Sequence, residues 1–199
     1  AKTAVTEELR QLNLRLRGAR DAAEEQALTD TLTGLRNRRA LDLALSVLIV
    51  EKEPFGLMHI DLDYFKAVND TLGHAAGDQV LREVAVTLLH ETRKGDTVAR
   101  VGGDEFVIVF HGLTDEAQLS GIADRVVARL SEPRMVQGES CRISASIGIT
   151  VSTNYHPPVA DRMLSDADEA LYASKNAGRG QAKLFKGFAN AQAQGQQQI

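Results

Sequence analysis

The chemistry in this chain starts with acidic side chains at short spacings. Asp104 and Glu105 stand side by side after Gly102-Gly103 and before Phe106. Asp61 and Asp63 close an apolar run that begins at Phe55. Residues two apart on a strand share a face, so Asp61 and Asp63 point one way and Leu62 the other. Carboxylates next to buried apolar residues are costly unless a cation or hydrogen bonds compensate them. One of the pair could instead cap the next helix, and Asp63 is the natural candidate. Lys175 and Arg179 are four apart at a helix end. They can reach one ligand together, or serve only as ordinary last-turn cations.

The elements that must position these groups follow from periodicity. Apolar runs at 98–101 and 106–110 flank the Gly-Gly-Asp-Glu tip and read as a β-hairpin, with glycine permitting positive φ and leaving room for a ligand. So tight a bracket of core strands makes the acidic turn a positioned ligand site rather than a solvated loop. Residues 55–62 read as a strand, and residues 141–151 as another with Ile143, Ala145, Ile147 and Ile149 on one face. Helices are expected at 38–51, 79–92, 115–131 and 161–177, and a last strand at 182–185. Asn37 is the expected N-cap of the first of these helices, and Asp78 of the second. Gly95 is read as the C-terminal cap of 79–92, with Arg93 and Lys94 complementing the helix dipole. His74 is read as structural.

Residues 4–28 form an amphipathic helix. Val5, Leu9, Leu12, Leu16, Ala19, Ala23 and Gln26 alternate spacings of four and three, a heptad seam of about three repeats. The seam is narrow, which favours a parallel coiled coil between two chains over packing on its own domain. The Gln-rich tail, 188–199, is expected to be disordered by composition. The 199 residues thus divide into a helix at 1–29, a domain at 30–187 and the tail. Apolar residues make up 43% and charged residues 25%, the balance of a soluble globular protein. A net charge of −4 argues against a sequence-independent grip on genomic nucleic acid. The single Cys141 cannot form an internal disulfide and fits a reducing compartment. No apolar run is long enough to span a bilayer. The chain opens inside a helical pattern, so an upstream sensor or membrane part is expected to be missing.

Gly102-Gly103-Asp104-Glu105-Phe106 spells GGDEF, and the chain resembles the GGDEF-domain diguanylate cyclase family. Four other segments are similar to the family in the right order, over about residues 30–185. Asp30 to Arg39 resembles D-x-L-T-G-L-x-N-R-R. Asp61 to Asp78 resembles D-x-D-x-F-K-x-x-N-D…G-H-x-x-G-D. Ser144 to Gly148 resembles the family's strand there. Ala167 to Arg179 resembles A-D-x-A-L-Y-x-A-K-x-x-G-R. After Arg179 the family commonly continues with Asn, whereas this chain has Gly180. Arg36, Arg38 and Arg39 could meet phosphates, or simply pack the linker through salt bridges.

The resemblance implies an α+β fold: a mostly antiparallel five-stranded sheet flanked by helices, like nucleotidyl cyclases and polymerase palms. The first strand should lie beside the hairpin and bring Asp61 and Asp104 together. It implies a metal site of Asp61, the Leu62 carbonyl, Asp104 and nearby Glu105, holding Mg²⁺ or alternatively Mn²⁺. Asp104, Glu105 and Lys66 would be catalytic. Asn69, Asp78, Phe65, Gly102 and Gly103 would bind GTP, with Lys66, Lys175 and Arg179 on its phosphates. A carboxylate accepts from the N1–H of guanine and would meet a lone pair on adenine, so Asp78 would select guanine. No G-x-x-x-x-G-K-[ST] loop is present to cradle the phosphates instead. Arg93 and Asp96 match an R-x-x-D inhibitory site for the product, with Arg125 as a further member. The implied reaction condenses two GTP into cyclic di-GMP and two pyrophosphates, in the bacterial cytoplasm, as a homodimer joined through the N-terminal helix. An alternative is a catalytically silent domain that receives GTP or cyclic di-GMP.

Overall fold

Residues 55–63 are apolar on both faces for most of their length, which requires a central strand. In the computed structural model, which describes residues 2–186, β1 (Phe55–Asp63) is the middle of a five-stranded sheet. It pairs antiparallel with β3 (Glu105–His111) on one side and β6 (Ser144–Val151) on the other. β2 (Thr97–Arg100) pairs antiparallel with β3, and β7 (Ala182–Leu184) runs parallel to β6. The sheet order is β2-β3-β1-β6-β7. The expected mostly antiparallel, helix-flanked sheet is therefore present.

Alternation along β1 splits the core in two. Met58, Ile60 and Leu62 face α4 (His74–His90) and α5 (Glu116–Leu130), packing with Val80, Val84, Leu88, Leu119 and Val126. Phe55 and Leu57 face α2 (Arg38–Glu51) and α6 (Ala160–Asn176), packing with Leu41, Leu45, Leu48 and Met163. The second face carries the candidate site, because His59, Asp61 and Asp63 continue its odd-numbered row. Ile143, Ala145, Ile147 and Ile149 all reach the first core, as their spacing predicts.

Several local expectations are corrected. α3 (Phe65–Leu72) and α4 meet at Gly73, whose φ of 85° breaks one helix and opens the next. α4 therefore starts at His74, and Asp78 lies inside it rather than capping it. It also stops at His90 with Glu91 as its C-cap, so Gly95 caps nothing. Tyr64, in the left-handed region at φ 65°, leads into α3 without a side-chain cap. Asp63 is thus not a cap. The strand predicted at 141–151 starts later, at Ser144: its first residue, Cys141, belongs instead to a separate hairpin of β4 (Arg134–Val136) and β5 (Glu139–Cys141). Its Gln137 and Gly138 both take positive φ, the geometry of a two-residue hairpin turn. Gly102 and Gly103 do not adopt positive φ. Gly102 serves the signature turn through space rather than handedness, since a Cβ there would crowd Glu105, whereas a Cβ on Gly103 would meet nothing within 4 Å. Asn37 does cap α2, accepting from the Ala40 amide at 3.1 Å.

α1 (Lys2–Ala27) precedes the domain. Leu12 and Leu16 on its seam are exposed. The side chains of Val5 and Leu9, and the Gln-rich tail, lie outside the described residues. No helix of the described residues is long and apolar enough to cross a membrane.

Candidate active site

The site forms where β1 meets the signature turn. Antiparallel register sets Asp61 opposite Glu105, and the Leu62 amide donates to the Asp104 carbonyl at 3.1 Å. The turn closes through the Val101 and Gly102 amides, both donating to the Glu105 carbonyl. A Cβ on Gly102 would stand 3.0 Å from Glu105 Oε2, so the glycine leaves room for that carboxylate. On the other side of β1, Asp61 stands opposite Ser146.

α6 delivers the cations. Lys175 Nζ lies 2.9 Å from Asp61 Oδ1. Burial raises the Asp61 pKa; Lys175 opposes this, while the charges of Asp104 and Asp63 add to it. Such a carboxylate is stabilised by any cation that reaches it. Among the described residues, no three His, Cys, Asp or Glu side chains converge closely enough to hold a metal on their own. Asp61, the neighbouring Leu62 carbonyl and Asp104 could together offer an all-oxygen set, which suits a hard divalent cation completed by ligand oxygens.

Asp63 has a different task from Asp61. It is almost fully buried and accepts from the Ser144 hydroxyl at 2.8 Å, the Ser146 hydroxyl at 2.9 Å and the Gly180 amide at 3.0 Å. Those three donors compensate its burial. It thereby pins the chain just after α6. Arg179 Nε lies 3.9 Å from Asp63, and the guanidinium sits 5.9 Å from the centre of the Tyr64 ring. The Gly180 amide takes part where the family's Asn would follow Arg179, so the departure noted in the sequence leaves a backbone contact in place.

Asn69 on α3 and Asp78 on α4 stand on adjoining helices. Gly77 lies between them: any Cβ there would collide with Asn69 Oδ1. Phe65 is buried against this pair of helices, while Lys66 is exposed. Arg93 and Asp96 share one turn after α4. Asp96 accepts from the Arg93 amide at 2.8 Å and the His111 amide at 3.2 Å. Arg125 pairs with Glu91 at 3.0 Å and also donates to the Gly121 carbonyl.

The linker between α1 and α2 is stitched to the edge strand. The Arg36 amide donates to the Val98 carbonyl and the Arg100 amide to the Arg36 carbonyl. Arg36 also pairs with Glu25 at 2.6 Å, and Arg38 with Asp42. The first pair joins the linker to α1 and the second lies within α2, so neither ties the linker to the domain; the linker's backbone pairing with β2 does that.

His59 was not singled out from the sequence. It sits two residues before Asp61, so the period-two rule that placed Asp61 also places it on the site face. Its Nε2 lies 3.9 Å from Glu105 Oε2 and its Nδ1 lies 3.7 Å from Asp168 Oδ1. Both ring nitrogens are buried without a hydrogen-bond partner.

The family model "Diguanylate cyclase, GGDEF domain" matches residues 27–181. Diguanylate cyclase TpbB of Pseudomonas aeruginosa is 36% identical over 186 residues, covering 91% of this chain and 42% of its own length. MucR of Pseudomonas aeruginosa, a bifunctional diguanylate cyclase and cyclic di-GMP phosphodiesterase, is 39% identical over 177 residues, or 87% of this chain and 26% of its own. The chain thus spans less than half the length of these relatives. Among solved structures, the coiled coil and GGDEF domain of DgcB from Caulobacter crescentus, in complex with c-di-GMP, superposes with a TM-score of 0.82 at 28% identity, covering 92% of this chain and 98% of that one.

Proposed function

The chain belongs to the GGDEF-domain diguanylate cyclase family, and from that premise we propose that it condenses two GTP into cyclic di-GMP and two pyrophosphates. The observation that carries this reading is the cross-strand meeting of Asp61 with Glu105, with Asp104 hydrogen-bonded beside Leu62 and Lys175 on Asp61. Carboxylates and a cation are gathered at the C-terminal end of the central strand, as phosphoryl transfer through positioning and electrostatics requires.

In this reading Asp61, the Leu62 carbonyl and Asp104 hold Mg²⁺ or Mn²⁺, with Glu105 beside them. The metal, when bound, neutralises phosphate charge and lowers the pKa of a ribose 3′-hydroxyl. Lys66, Lys175 and Arg179 carry the phosphates, with Tyr64 and Asp63 holding Arg179 in place. Phe65, Gly102 and Gly103 shape the nucleotide cleft. Asn69 and Asp78 read the guanine edge. Each 3′-oxygen forms a bond to the α-phosphorus of the other GTP, and each α-phosphorus releases pyrophosphate. In this reading a carboxylate such as Glu105 receives the departing proton.

One chain holds one GTP, so two domains must face each other. The exposed Leu12 and Leu16 give α1 an apolar seam that a second α1 would cover. Arg93, Asp96 and Arg125 form the product-inhibitory site, the arginine edge-on to guanine O6 and N7. The domain works in the cytoplasm.

The test is chromatography of nucleotides after incubation with GTP and Mg²⁺ at a series of protein concentrations, with Asp104→Ala as control. Cyclic di-GMP should appear at a rate steeper than first order in protein, and the variant should make none while keeping its fold. Absence of product at every concentration, with GTP still bound, would point to a receptor or to half-sites that do not pair; absence of product even when a lengthened coiled coil forces dimerisation would overturn the cyclase reading.

A further inference from the structure

His59 is the largest unexplained investment in the site. An imidazole ring with two buried nitrogens and no hydrogen bond loses solvation without recovering it, which a folded protein rarely tolerates without a use. Apolar residues fill the odd-numbered row of β1 up to this point: Phe55 and Leu57. The fold also makes room for the ring. Its neighbour across β6 is Gly148, where any Cβ would strike the Ala167 carbonyl of α6. The bare glycine lets α6 approach the sheet, and that approach brings Asp168, the next residue, to the ring.

We propose that His59 is a positioning residue that holds the Glu105 carboxylate through its Nε2–H. The 3.9 Å separation is about 1 Å beyond a hydrogen bond. Rotation of the exposed Glu105 side chain would close it, and the missing Cβ at Gly102 leaves the carboxylate room to turn. The N–H belongs on Nε2 rather than Nδ1 because of exposure. The Asp168 side chain is 65% exposed and so more open to solvent, whereas that of Glu105 is 45% exposed and gains more from a protein donor. Fixing Glu105 in one rotamer beside Asp61 and Asp104 spares a metal ion that reorganisation. Supports of this kind are typically worth ten- to a hundredfold in metal affinity or activity.

This inference rests on the reading of Glu105 as a metal-site carboxylate, and its test is arranged to fail separately. The first measurement uses the unaltered protein with neither metal nor nucleotide: imidazole ¹⁵N signals of His59, compared with those in Glu105→Gln. A protonated Nε2, with signals that move in Glu105→Gln, is expected. A proton on Nδ1, or signals indifferent to Glu105→Gln, would overturn the proposal whatever the turnover. The second measurement compares His59→Leu with His59→Gln, whose amide can present an N–H in place of Nε2. Mn²⁺ affinity, read by electron paramagnetic resonance, should fall about tenfold or more in His59→Leu, with kcat falling and the KM for GTP little changed. His59→Gln should recover most of that loss. Equal losses in both variants would make the ring a packing element only. Should His59→Leu fail to fold, the ¹⁵N measurement and the affinity of His59→Gln against the unaltered protein decide the matter.

Discussion

Asp30 and Arg100, 70 residues apart in the chain, are joined by an ion pair of 3.3 Å at the root of the signature turn. The same guanidinium donates to the Gly103 carbonyl at 2.8 Å. One side chain thus ties the linker that follows α1 to the tip that carries Asp104 and Glu105. Asp30 is further bound by the Thr33 hydroxyl and amide. A shift of α1 therefore has a short route to the turn.

Arg100→Ala should cost about 1–3 kcal/mol of stability, because it leaves a half-buried carboxylate short of a charged donor. It should also lower turnover by loosening the turn. Burial pushes the Asp30 pKa up, but the Thr33 hydrogen bonds and Arg100 outweigh it, leaving it below the usual carboxylate value. The folded-state pKa is thus the lower one. Its stabilisation is present above the unfolded-state value and is lost as pH falls through the folded one. Denaturant melts across the acid range should show Asp30→Asn with a flatter acid limb than the unaltered protein.

Gly148→Ala should destabilise the domain by about 1–3 kcal/mol or more, since the new methyl meets the backbone of α6 rather than a movable side chain. A thermal melt reads the loss directly. Gly56→Ala, whose methyl meets the Leu119 side chain as well as the Leu113 carbonyl, offers a comparison where part of the clash can relax.

Gly77→Ala should raise the KM for GTP with little effect on the melting temperature, because its methyl displaces the Asn69 amide from the site. The displaced group is the far end of a flexible side chain, so the fold adapts while the guanine contact suffers. Unchanged KM would remove Asn69 from the base site.

Arg93→Ala should weaken inhibition by cyclic di-GMP about tenfold or more, the worth of one good arginine–guanine edge contact. Initial rates at low product should stay as they were. Arg125→Ala carries a second effect, since it removes one of two arginines on Glu91; Arg129 at 2.7 Å remains. Unaltered inhibition in Arg93→Ala would place the product elsewhere.

Much of the fold was legible because its signals are local. The period-two row of Ile143, Ala145, Ile147 and Ile149 went into the core, and Asn37 capped α2 as its position suggested. The errors were at boundaries. Gly73 was read within a motif, while its backbone sets where α4 begins. Asp78 was credited with a capping role that a helix started at His74 makes unnecessary. The strand expected from Cys141 starts only at Ser144, and the β4–β5 hairpin before it is absent from the sequence reading, since strands of three residues such as Glu139–Cys141 are too short to show an alternation.

The sequence by itself determined the family, the central strand and the acidic pairs at its end and on the turn, because residue type and spacing along one strand or helix carry that information. Only the tertiary structure decided the division of labour among those acids. Asp61 faces Lys175, while Asp63 is consumed by Ser144, Ser146 and Gly180, residues 81 or more positions away. It also decided that His59 lies between Glu105 and Asp168. Those partners come from β3 and α6, and only sheet register and the close approach permitted by Gly148 bring them to one ring.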